Sequence, residues 1–176
     1  MEAKELLKGR RSIRKYKADS VSEDVLKSVV ELASFAPSWK NTQISRYIAV
    51  TGELKDKVSA TLAEHNQSIV NSAPMLIIQT DIEKRSGFER DGSFSTKKED
   101  RWQNYDAGIA AAQFCLAAYE AGLGTVIMGI FDEDEVANVV GIPEGQKIMA
   151  LIALGYPDEE PQAPKRKTVD DLLTIK

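Results

Sequence analysis

The stretch Tyr105–Gly129, YDAGIAAAQFCLAAYEAGLGTVIMG, constrains the fold more than any other part of the chain. Its first part, Tyr105–Ala121, reads as a helix with charge only at Asp106 and Glu120. About half of it is Ala or Gly, and Ile109, Phe114, Leu116 and Tyr119 spread over more than one face. A helix that is apolar all round has to be buried all round. The small residues Gly108, Ala110, Ala111 and Ala112 let other backbones come close. Asp106 suits the positive N-terminal end of the helix, and Gly122 is a natural C-terminal stop. After Gly124 the short apolar run Thr125–Met128 fits a buried strand.

Size and charge narrow the rest. A chain of 176 residues with 43% apolar content fits one domain, 1–176, with a core of its own. MEAKELLKGRR has no apolar segment of the kind a secretory leader carries. Tyr105–Ala121 is too short, and interrupted by Gln113, for a membrane span. A soluble, cytoplasmic protein with no membrane contact is therefore expected. One cysteine excludes an internal disulfide, and one histidine excludes a His-rich metal centre. A net charge of −4 does not point to nucleic acid. Two local clusters of cations stand out against it, Lys8–Lys17 and Lys165–Lys167.

In chain order, Glu2–Lys8 reads as a short helix ended by Gly9, and Arg10–Tyr16, RRSIRKY, as an extended or turning cationic segment. Ser20 and Glu23 have capping-box spacing. The apolar residues Val25, Leu26, Val29, Val30, Leu32 and Ala33 continue at helical intervals to about Phe35, where Pro37 disfavours helix. Pro37–Gln43, PSWKNTQ, is a polar loop with one large aromatic. Tyr47–Thr51 is a strand and Glu53–Glu64 an amphipathic helix, which Asn66–Asn71 either extends or breaks. Pro74 opens the strand Met75–Thr80. Ile82–Arg101 is charged and poor in apolar anchors; so long a polar connection is usually functional or mobile. A helix at Asp132–Val140, a turn at Gly141–Gly145 and a buried strand at Lys147–Leu154 follow. The tail, 155–176, is Pro-rich, carries Lys165-Arg166-Lys167 and ends in the apolar Val169–Ile175. The class is α+β, without repeats.

Most chemical candidates are weak. Gly122, Gly124 and Gly129 miss the dinucleotide fingerprint, because Ile127 stands where its third glycine belongs and the helix precedes the glycines. Gly129, at the far end of a strand, could let a flat ligand approach the backbone. Cys115 within the apolar helix reads as a small hydrophobe, and His65 as a surface or capping residue. The basic segment is more informative. Arg10, Arg11, Ser12 and Arg14 combine guanidinium forks with a hydroxyl, a set suited to phosphate. The tail cluster could fold back to join them.

RRSIRKY, APSWKNTQ, APMLII, DAGIAAAQFCLAAYEAGLGTVIMGIF and LIALGYP with the following PKRK occur in this order across most of the chain, and together they resemble the FMN-dependent nitroreductase family. The resemblance implies a central mixed or antiparallel sheet flanked by helices and an intertwined homodimer with two active sites at the subunit interface. It implies non-covalent FMN, NADH or NADPH as reductant, and a small-molecule electron acceptor such as a nitroaromatic or quinone. Arg10, Arg11 and Ser12 would then hold the phosphate and ribityl end, with Arg14 near the N1/O2 edge of the ring. Pro37, Ser38 and Asn41, with Trp39 close by, would line the flavin from the other subunit. Asn66 would meet the pyrimidine edge, and Ile127, Met128 and Gly129 would run along the ring at its N5/O4 side. Lys165 and Arg166 would close on the phosphate, with Lys167 as an alternative. No side chain is implied as a catalyst, since hydride passes through flavin N5 in two half-reactions.

The chain departs from the family pattern at Gly129-Ile130, where many relatives have Gly-Gly or Gly-Ala, and at Thr168 after the tail cations. It is also short for the family, which leaves Ile82–Arg101 as the expected active-site cover. The alternatives are a flavin-binding storage or sensing protein with little turnover, and a specialised member that fragments flavin or removes halogens reductively.

Overall fold

The computed structural model describes residues 2–176. In chain order it forms α1 (Ala3–Gly9), α2 (Glu23–Ala33), a 3-10 turn (Trp39–Asn41), β1 (Ser45–Val50), α3 (Gly52–Ala60), α4 (Glu64–Ser72) and β2 (Met75–Ile82). There follow α5 (Arg101–Glu120), β3 (Gly124–Met128), α6 (Glu133–Val140), β4 (Gln146–Gly155) and α7 (Val169–Leu172). The strands make one sheet in the order β1-β2-β4-β3, antiparallel throughout. Of the two expected sheet types, the antiparallel one is present.

Both faces of the sheet are covered. Met75 and Ile77 of β2 pack with Ile152 and Leu154 of β4 against α2 and α5. The alternate residues, Leu76, Ile78, Leu151 and Ala153, pack against Val58, Ile69, Val70 and Val136 of α3, α4 and α6. Successive strand residues point to opposite faces, so the central strands run apolar on both faces over Met75–Ile78 and Ile148–Leu154. Complete burial of Phe114 in α5 contributes about 2–3 kcal/mol.

Helix α2 starts later than the Ser20–Glu23 spacing predicts. Ser22 is the cap, its hydroxyl accepting from the Val25 N–H at 3.3 Å. The buried Val21 decides this: it joins Leu26 in the α2–α5 cluster, as a hydrophobic staple across the first turn. The helix ends at Ala33, short of Phe35. Asn66–Asn71 breaks from α3 and lies in the separate helix α4. The buried Lys55 ties these helices together, its Nζ donating to the Val70 carbonyl at 3.1 Å.

Helix α5 differs from its sequence reading in two ways. It begins at Arg101, so Asp106 lies in its second turn and not at its N-terminal end. It is also not buried all round within this chain: Tyr105, Gly108 and Ala112 are exposed along one side. Its end is a Schellman motif. Gly122, at φ +78°, donates to the Tyr119 carbonyl at 3.0 Å, and Leu123 donates to Ala118 at 2.8 Å. Among the described residues, no helix is long and apolar enough to cross a membrane.

Candidate functional site

Residues 10–17 run past the outer edge of β3. Ile13 N–H donates to the Thr125 carbonyl at 2.9 Å, and Ser12 bridges to Thr125 in parallel. Ile13 and Tyr16 turn inward and are buried, while Arg14 and Lys15 face out. The contact is so close that a Cβ on Gly124 would lie 2.7 Å from Ile13 Cγ1. Tyr16 fixes the segment further by donating its phenol to the Ile13 carbonyl, and burial pushes that phenol above its usual range.

The tail returns along the same segment. Lys17 N–H donates to the Tyr156 carbonyl at 2.9 Å, and Asp158 N–H to the Lys15 carbonyl at 3.0 Å. The Arg14 N–H donates to the Glu159 carboxylate. These pairings carry the two cationic clusters to one place. Arg10, Arg11, Ser12, Arg14 and Arg166, with Pro161, Gln162 and Pro164, line a cavity of about 410 Å³. Lys165 and Lys167 are not in its wall. Arg11 spends one guanidinium nitrogen on the carbonyls of Lys8 and Arg10, at 2.7 and 2.8 Å, closing the end of α1. Among the described residues none of the four arginines forms an ion pair, and the cavity wall contains no carboxylate. Four like charges around one hollow, with a hydroxyl and no acid, suit a phosphate monoester.

A second hollow of about 290 Å³ shares Arg10 and Ser12 and continues between β3 and the open side of α5. Its other walls are Ala112, Cys115, Thr125, Val126 and Ile127. Ile127 points outward and is 47% exposed, whereas Met128 points into the core, so only its backbone faces this side. A Cβ on Gly129 would meet nothing within 4 Å, so the chain's own packing does not require glycine there. Asn66 donates to the Ile130 carbonyl at 2.9 Å, which places it beside the end of β3. Burial pushes the Cys115 thiol up, in keeping with a hydrophobe and not a nucleophile.

Pro37, Ser38, Trp39 and Asn41 lie elsewhere. Their turn leads into β1, the opposite edge of the sheet. Lys40, Asn41 and Gln43 adopt positive φ there. Ser38 Oγ accepts from Gln43 N–H at 2.9 Å. The turn is anchored by Asp106, whose buried carboxylate accepts from Trp39 N–H at 2.9 Å and from the Ser86 hydroxyl. Ser86 also bonds Thr42 at 2.7 Å, so the 82–101 segment and the turn share one anchor. Pro37, Ser38, Ser45, Tyr47, Asp106 and Ala110 line a further cavity of about 360 Å³. A single chain thus gathers the residues around β3 and holds the 37–41 group apart from them.

The sequence alone did not assign five contributors to the site. Pro161, Gln162 and Pro164 complete the cationic hollow, and only the Pro-rich spacing hinted at a fixed tail. Thr125 carries the 10–14 segment through its carbonyl, which any residue type provides. Asp106 drew notice only as a charge suited to the helix start, and its bonds to Trp39 and Ser86 come from tertiary contact.

Known proteins share this fold. The family model described as "Nitroreductase family" matches residues 7–76 and 60–156. An NADH dehydrogenase of Thermus thermophilus is 31% identical over 91% of this chain and 89% of its own. The chain therefore belongs to the nitroreductase family. A nitroreductase family protein of Streptococcus pneumoniae superposes with a TM-score of 0.87 at 22% identity, covering 99% of this chain and 100% of its own. A Desulfovibrio desulfuricans protein of the same fold, solved in complex with FMN, superposes with a TM-score of 0.77 at 24% identity, covering 98% and 95%.

Proposed function

We propose that the chain is a cytoplasmic, FMN-dependent oxidoreductase that uses NADH or NADPH to reduce nitroaromatic, quinone or similar acceptors in two half-reactions. The observation that carries this reading is the cavity where Arg10, Arg11, Ser12, Arg14 and Arg166 meet with no carboxylate in its wall, and which shares Arg10 and Ser12 with the β3–α5 hollow. Family membership and the FMN of the Desulfovibrio protein support the same reading. FMN, when bound, supplies the two-electron carrier between the nicotinamide and the acceptor.

The chain's own residues have binding and orienting roles. Arg10, Ser12 and Arg166 hold the phosphate, with Arg11 supporting through the end of α1. Arg14 adds positive charge beside the ring, which favours its reduced, anionic form. The backbone of Ile127–Gly129 and the Asn66 amide border the ring. Pro37, Ser38, Trp39 and Asn41 reach the site from a second copy of the chain. The open side of α5, at Gly108 and Ala112, is where that copy packs, giving a homodimer with its sites at the interface. The test is a visible spectrum of the purified protein, followed by NAD(P)H oxidation with nitroaromatic, quinone and enone acceptors under anaerobic conditions. Bound flavin and acceptor-dependent oxidation are expected. A colourless protein that takes up no added FMN would sink the reading.

A further inference from the structure

Three aromatic rings lie where the 82–101 segment meets the 37–41 turn. Trp39 and Trp102 are 4.7 Å apart between centroids, tilted at 45°, and Trp102 meets Tyr105 edge-on at 5.5 Å. The rings are held from several sides. Asp106 accepts from the Trp39 backbone, and Trp102 Nε1 donates to Thr96 Oγ1 at 2.8 Å. The segment presses so tightly on Trp102 that a Cβ on Gly87 would lie 3.1 Å from Trp102 Cβ. Tyr105 leaves 59% of its surface open.

Two lysines border this shelf and differ in one respect. Lys40 sits over Trp39, but its charge is matched by Glu89 at 3.4 Å. Lys98 lies 4.7 Å from the Trp102 centroid and 6.0 Å from that of Tyr105. Among the described residues it pairs with no carboxylate. A stack that served only to hold the segment would not need this ammonium. On a chain of net charge −4, an anionic ligand needs such a local cation to be attracted at all.

We infer that Tyr105 and Lys98 form an acceptor-recognition site selecting flat aromatic molecules that carry an anionic substituent. The ring of the ligand lies against the open face of Tyr105, and its anion meets the Lys98 ammonium. The inference rests on the function proposed above, because it is that reading which puts the 37–41 turn beside the flavin.

The chain's two tryptophans, Trp39 and Trp102, both stand in the shelf, so tryptophan fluorescence reports on it directly. Titration with benzoate and with benzamide, on the protein with its flavin as isolated, compares an anion with its neutral isostere without any turnover. Benzoate is expected to bind about threefold to fivefold more tightly, the scale of one exposed ion pair. Lys98→Met should erase that preference and Lys98→Glu should reverse it. The ratio of KM values for 4-nitrobenzoate and 4-nitrobenzamide should collapse in parallel. Equal affinities in the natural protein, or a preference that survives Lys98→Met, overturn the inference. So does a Tyr105→Ala variant that loses dimer while keeping the benzoate preference, since Tyr105 would then be subunit contact. Absence of flavin or of NAD(P)H oxidation with every acceptor marks failure of the parent reading instead, and leaves the fluorescence titration able to decide about Lys98.

Discussion

At the β3 edge the chain closes on itself: residues 10–17 cover the strand, and 156–159 pair with 14–17. At the β1 edge nothing of the kind happens. Among the described residues strand β1 pairs only with β2, and the turn before it is held by one buried carboxylate, Asp106, and one serine, Ser86. The first edge is a finished cationic hollow. The second is a set of groups oriented toward something the chain does not itself provide. An exposed strand edge invites pairing, and the bare side of α5 invites packing. On the function proposed above, each copy finishes one half of a site and offers the other half to its partner.

The strongest way to break the comparison is to remove charge from the finished edge. Arg10→Ala with Arg166→Ala should weaken FMN binding by about 100-fold or more, since each lost charged contact costs roughly 1.5–3 kcal/mol. Fluorescence titration of the apoprotein measures this, and stoichiometric flavin retained through purification would make the hollow an ordinary surface.

The next effect belongs to the β1 side. Asp81 is 1% exposed, accepts from Ser45, and its Oδ2 has no partner among the described residues. Burial raises its pKa to about 6, helped by the charge of Asp106 and opposed by the Ser45 hydroxyl and Arg46. A pKa above the unfolded value means stability that is full below the unfolded pKa and is lost as pH rises through about 6. The loss is on the order of 3 kcal/mol. Asp81→Asn should therefore gain stability relative to the natural chain between pH 4 and 7, as read from the difference in urea midpoints.

A smaller effect tests the closure of the β3 edge. Gly124→Ala drives a methyl into Ile13 and should cost about 1–3 kcal/mol, with looser FMN binding because the 10–14 segment shifts. Last, the Lys40–Glu89 pair is exposed on both sides. Lys40→Ala should leave Tm within about 1 °C, which sharpens the contrast with Asp106 as the real anchor of the turn.

Much of this was legible in the sequence. The two-sided apolar runs of β2 and β4 announced strands covered on both faces, and Gly122 announced the end of α5. The cationic clusters suggested a shared location, and the structure brings Arg166 of the second beside Arg10, Arg11 and Arg14 of the first. What was not legible depended on tertiary contact. The Ser20–Glu23 spacing points to a cap at Ser20, and the burial of Val21 places it at Ser22 instead. Arg101–Asn104 shows no apolar periodicity in the sequence, yet it forms the first turn of α5, with Trp102 packed on Trp39. The 82–101 segment looked unanchored since its anchor, Ser86, is a small polar residue that is fully buried. The division of site residues between two edges depends on strand order, which pattern cannot supply.

Arg166 hangs only a few residues beyond Glu159, on a strap stiffened by Pro161 and Pro164. Short tethers of this kind give an effective concentration in the millimolar range, and proline narrows the volume that the free end explores. The fourth guanidinium is thus delivered to the hollow at a local dose that no separate peptide in a cell would reach. Cutting the strap should convert a first-order closing step into a second-order encounter, with the affinity for the phosphate then depending on how much free tail is present.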